Sequence, residues 1–225
     1  MIFQSSFVEK MQHRQTHLRK MRAILLRAEE DGERCAGPTL LAGIAIGVGV
    51  IKLSSEALKQ SSHQSLQILS ILVLELMGPL LVSIFGMALL LPRWIERVGK
   101  SHPRELSYSV SSSAVVGACL MLMFFTAAMS SGILISSRSE NFTELMDLLA
   151  SINPRYFFRA ILRCTTFLAI LCAWCQWRAA ASLKSGHGRT YIASNLLVEG
   201  LMISFTLKLL WFLIINNFAS SAVST

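Results

Sequence analysis

Charged side chains are scarce in this sequence: Asp, Glu, Lys and Arg make up 15% of 225 residues, against 53% hydrophobic, and the mean hydropathy is +0.53. That balance excludes an ordinary water-soluble domain and places the chain among integral membrane proteins. Catalytic signatures are missing as well. The sequence has no Gly-rich phosphate loop, no His-Glu-x-x-His and no Gly-x-Ser-x-Gly, so it offers no nucleotide site, metalloprotease centre or serine nucleophile. His13 and His17 stand four apart but lack a third metal ligand, and His63, His102 and His187 are scattered. Cys172 and Cys175 have the spacing of a redox pair, yet they lie with Cys164 in an apolar run, where packing as small hydrophobes is the expected role. No catalytic residue, metal or cofactor is therefore assigned to this chain. A cleaved signal peptide is not expected either, because the first apolar run begins only near residue 38.

What the sequence has instead is five long apolar runs. They predict an all-α protein with spans at about 38–55, 66–91, 110–136, 157–177 and 195–217. Leu66–Leu91 would reach about 39 Å as a helix, against about 30 Å of hydrocarbon, so it can cross with a tilt. The first run is rich in glycine, and Gly43, Gly47 and Gly49 predict a face against which another helix packs closely.

Residues 1–36 are basic and intermittently apolar, with Leu18, Met21 and Leu25 on one helical face, which predicts an amphipathic helix lying in the membrane interface. The five-span domain is expected over 37–225. Fourteen Lys and Arg residues fall on the side of the N-terminus and about five on the other, so the positive-inside rule predicts a cytoplasmic N-terminus and an outward C-terminus. The net charge of +8 needs no nucleic acid to explain it. Between the third and fourth spans, Phe142, Leu145, Met146 and Leu149 predict a short outer helix at about 140–152, ended by Asn153-Pro154; Asn141 opens a glycosylation sequon of low specificity.

Charges inside spans mark functional candidates, because each costs about 2.5–3.5 kcal/mol at a helix centre on insertion scales. They are Glu75, Arg163, Glu199 and Lys208. On the predicted topology Glu75 and Lys208 lie at one depth, about 13 Å from the outer end of their spans. We expect Glu75 to pair with Lys208, or through a longer reach with Arg163; a protonated Glu75 and a Lys208 snorkelling to water are the alternatives. Pro79 has no N–H for the carbonyl of residue 75, so a bend is expected at the same turn as the carboxylate. Irregular backbone at membrane depth favours a cavity or protein contact over lipid there.

Three short stretches resemble motifs of the MlaE/YrbE family, the permease subunits of ABC transporters that move phospholipids together with MCE proteins. "LELMGP", with Glu75, Leu76 and Pro79, is similar to that family's Glu-Leu-Gly-Pro motif with a Met inserted. "IERVGKSHPREL" is similar to its cytoplasmic coupling segment, and "ILRCTTF" to its Ile-Lys-Ser-x-x-Phe motif, with Arg163 in place of lysine. The resemblance runs from about residue 37 to the end. It departs between Pro79 and Ile95, where the chain is about a dozen residues shorter and "FGMALLLPRW" stands in place of ATPase-docking elements; Met202 stands near the place of a fifth-span aspartate.

The resemblance implies a dimeric lipid permease with a phospholipid pathway at Glu75, Leu76, Pro79, Arg163 and Lys208. It implies ATP on a separate ABC ATPase subunit, coupled through about 92–106, with Arg93, Trp94, Glu96, Arg97, Gly99 and Arg104. An MCE-domain protein and a second permease subunit complete the expected partners, in a bacterial inner membrane. The shortened coupling region also admits a degenerate half of a heterodimer. The competing expectation is a non-transporting membrane scaffold that assembles a larger complex.

Overall fold

The computed structural model describes residues 2–54, 68–100, 103–135, 154–186 and 188–223, with side chains described over 20–54, 68–100, 106–135, 154–186 and 188–214. The short helix expected at 140–152, the sequon at Asn141, and His63, His102 and His187 lie outside the described residues. So do the side chains of Leu18, His13, His17 and Arg104.

Every described element is a helix: α1 (Ile2–Lys52), α2 (Gly78–Lys100), α3 (Pro103–Ile135), α4 (Pro154–Lys184) and α5 (Arg189–Val223). Among the described residues, five stretches are long and apolar enough to cross a membrane: Lys20–Lys52, Ile68–Lys100, Leu106–Ile135, Pro154–Lys184 and Arg189–Ile214. The protein is an all-α integral membrane protein with five membrane-crossing helices.

These helices run past the ends of the apolar runs. Polarity marks where hydrocarbon ends, whereas backbone hydrogen bonding continues through charged residues such as Arg93, Arg97 and Arg178, whose side chains find partners within the bundle. The largest difference is at the N-terminus. The separate interfacial helix expected over 1–36 is not a separate element: α1 continues unbroken through Pro38 into the first span and, at 51 residues, is about 77 Å long. A proline removes one N–H and crowds one carbonyl, and here its ring sits on an exposed face of α1 while its neighbour Thr39 is buried. Met21, Leu25 and Leu26 are all more than half exposed, so the apolar face of this segment is not covered by the rest of the chain.

α3 is the central helix. α1 packs along it, α2 and α4 pack on it and on each other, and α5 closes against α2 and α4. The α1–α3 contact is close because of small residues. A Cβ on Gly43 would stand 2.7 Å from the Phe124 carbonyl oxygen, and one on Gly47 would collide with the Ala128 carbonyl and Ser131 Oγ. Ser131 Oγ donates across the same seam to the Ile44 carbonyl at 3.2 Å. Gly49, expected on this face, is exposed with nothing near its Cβ position. Cys164, Cys172 and Cys175 are all buried and free, packed among apolar neighbours in α4.

The chain crosses back and forth, so the α2–α3 and α4–α5 connections lie at one end of the bundle. The end of α1, the start of the second span, the end of α3 and the start of α4 lie at the other.

Candidate functional site

The helix leading into α2 is irregular where Pro79 predicts it. Leu72–Met77 is wound as a π-helical turn, in which the Gly78 N–H bonds to the carbonyl of Val73, five residues back. Pro79 offers no N–H, so the carbonyl of Glu75 is open to other donors. Two cations from other helices take it: Arg163 Nη1 donates to it at 2.8 Å, and Lys208 Nζ donates to the same oxygen.

The side chain of Glu75 leaves the same turn and is held by α4. Arg163 Nη2 lies 2.9 Å from Oε2 and Arg159 Nη2 3.0 Å from Oε1. Arg159 and Arg163 are one turn apart on a helix, and so present their guanidinium groups to the same spot. Arg163 is among the largest wholly buried side chains of the protein, at 1% exposure, and its guanidinium lies 5.3 Å from the ring centre of Trp211 on α5. Arg159 is partly open and lies 5.8 Å from the ring of Tyr156.

The site is rich in donors and poor in acceptors. One carboxylate and one open carbonyl face three cations, an excess of two positive charges when Lys208 is protonated. In addition, the buried Nε atoms of Arg159 and Arg163 and the buried Nε1 of Trp211 have no hydrogen-bond acceptor among the described residues. Such a spot can accept an anionic group with several oxygens.

The expected pairing thus takes a different form. Glu75, Arg163 and Lys208 do meet, but Lys208 binds the backbone carbonyl rather than the carboxylate. Arg159, counted in the sequence only among the five cations of the outer face, supplies the carboxylate's second partner. Its position four residues before Arg163 is the signal that could have found it. Pro79 is buried beneath the site, whereas Leu76 is 49% exposed on the outside of the turn.

At the opposite end of the bundle the residues expected to couple to an ATPase divide. Asp31 of α1, at 0% exposure, receives Arg93 Nη1 at 2.8 Å on one oxygen; Arg97 reaches both oxygens, at 2.7 and 2.8 Å. Arg97 also donates to Ser109 Oγ of α3, and Arg93 to the Glu30 carbonyl. This clamp joins α1, α2 and α3. Trp94 is fully buried and therefore presents no surface. Glu96 is exposed and pairs along its own helix with Lys100 at 2.6 Å, and Gly99 is open. Asp31 was not singled out in the sequence, because it follows Glu29 and Glu30 in what reads as a solvated acidic run.

Glu199 of α5, the remaining charge within a span, is held by Arg178 of α4 through two hydrogen bonds, 3.0 and 2.7 Å, and receives the Trp174 indole N–H at 3.4 Å. No family model and no curated protein sequence matches the chain.

Proposed function

We propose that this chain is the membrane-spanning subunit of an ABC-type phospholipid transport complex, in which a separate ATPase binds ATP and an MCE-type protein receives or delivers the lipid. The observation that carries this reading is the convergence of two motif segments, 88 residues apart. Glu75 of "LELMGP" meets Arg163 of "ILRCTTF" at one ion-paired, donor-rich spot within the bundle. A phospholipid headgroup offers the oxygens that Arg159, Arg163 and Lys208 lack, and its acyl chains match the apolar surroundings. Glu75 holds the cations apart and in place when no lipid is bound.

A specific observation favours a second reading. Arg93, Trp94 and Arg97, expected on the ATPase-facing surface, are tied down or buried inside the chain. That supports a subunit whose coupling is done by a partner permease, or a scaffold with no coupling at all.

Gentle extraction from native membranes followed by mass spectrometry separates these readings. A transporter subunit brings an ATPase, an MCE-type protein and phospholipid, and a degenerate half brings a second permease chain as well. Recovery of a different stable assembly, with none of these, overturns the transport reading. Within a transporter, Glu75→Gln abolishes lipid movement while the protein still folds; a scaffold tolerates it.

A further inference from the structure

The Arg178–Glu199 pair lies at the boundary of two adjoining hollows between α4 and α5, far from Glu75. Toward the middle of the bundle is an open groove of about 430 Å³, whose walls include Trp174 and Trp177 of α4 and Val198, Met202 and Ile203 of α5. Toward the α4–α5 connection is a smaller hollow of about 190 Å³, whose walls include Ser182, Tyr191 and Asn195. Arg178 and Glu199 line both. The apolar part thus points into the span and the polar part toward its end, with a charge pair where they join. That is the order of an acyl chain, a glycerophosphate and a headgroup in one leaflet.

We propose that these two hollows together seat one phospholipid with a zwitterionic, ammonium-bearing headgroup. The acyl chain lies along Trp177 and Met202, both about two-thirds exposed in the isolated chain. The charge pair has no excess of either sign, so it does not select a net anionic lipid as the Glu75 site would. It matches a zwitterion. Arg178 spends two of its five N–H groups on Glu199, which leaves three for the phosphate. Glu199 accepts three hydrogen bonds and keeps capacity for an ammonium group, beside two Trp rings whose centres are 5.3 Å apart and whose faces attract cations. The inference needs only the five spans, not the transport reading, so either can fail alone.

The test uses tryptophan fluorescence of the full chain in vesicles, with a minor fraction of phosphatidylethanolamine brominated on its acyl chains in a phosphatidylglycerol background, and the mirror-image mixture. Brominated phosphatidylethanolamine is expected to quench about two- to fivefold more per mole than brominated phosphatidylglycerol. Glu199→Gln, which keeps the shape, should remove that preference while total quenching persists. If Glu199→Gln fails to fold, the Trp174→Phe and Trp177→Phe variants decide: the headgroup-dependent part of the quenching must fall with them, and its persistence overturns the proposal. Equal quenching by both lipids means bulk lipid only and overturns it. Quenching by neither means that a second copy or another protein covers the groove, and overturns it too.

Discussion

Arg163 and Arg159 contact the same carboxylate, but burial sets them apart. Arg163 is almost wholly enclosed and binds the carboxylate, the open carbonyl and the face of Trp211, so replacing it takes the partner from Glu75 Oε2 and leaves the carbonyl to Lys208 alone. Arg159 has 38% of its side chain exposed, and water can replace it. Arg163→Met is therefore expected to cost about 2–4 kcal/mol and Arg159→Met less than about 1 kcal/mol. Thermal unfolding in detergent checks the order, and equal losses would mean that Arg163 carries no more than a surface charge does. Lys208 differs from both, because its partner is backbone. Exchanging the charges of Glu75 and Lys208 would not rebuild a reciprocal pair, since the carbonyl keeps its sign whatever side chain residue 75 bears.

At the scale of the elements, the seam between α1 and α3 is the contact most sensitive to one added methyl group. Without a hydrophobic effect between helices in lipid, close approach and dispersion hold them together, and glycine permits that approach. Gly47→Ala would push its Cβ into the Ala128 carbonyl and Ser131 and is expected to cost about 1–3 kcal/mol. Gly49→Ala meets nothing and is expected to be neutral, or to stabilise by up to about 1 kcal/mol through helix propensity. Unfolding of the two variants side by side checks this, and similar losses would mean that propensity rather than packing governs both. Sequence alone named all three glycines as a packing face, because spacing shows which residues are small and not which way the helix is turned. The same limit explains the N-terminus: Pro38 and a change of composition read as a boundary, yet α1 tolerates one missing hydrogen bond on an exposed side. An irregular turn before Pro79 was legible because the missing N–H is a covalent fact, whereas its π-helical form and the donors from α4 and α5 that take the Glu75 carbonyl were not.

For the whole molecule, the five crossings were legible because bilayer thickness imposes a length that composition displays directly. The partners of the charges were not. Asp31 meets Arg93 and Arg97 across more than sixty residues, and nothing local distinguishes it from Glu29 or Glu30, which are exposed. What survives from sequence to structure is the asymmetry between the two ends. Arg93, Arg97, Lys100, Arg178, Lys184 and Arg189 gather at the end that holds the α2–α3 and α4–α5 connections, whereas Lys52, Arg155 and Arg159 stand at the other. Translocation of a cationic segment is opposed during insertion, so the crowded end is expected to remain in the cytoplasm. Ser185, in the turn after α4, is a suitable reporter: it is exposed, and four of the five native thiols are buried and shielded from reagents. With Cys119 replaced by alanine, a Ser185→Cys variant in intact cells should resist a membrane-impermeant maleimide and react only after permeabilisation. Labelling in intact cells would invert the topology, carry the Asp31 clamp to the outer side, and remove any cytoplasmic ATPase from reach of the segment around Arg93 and Arg97.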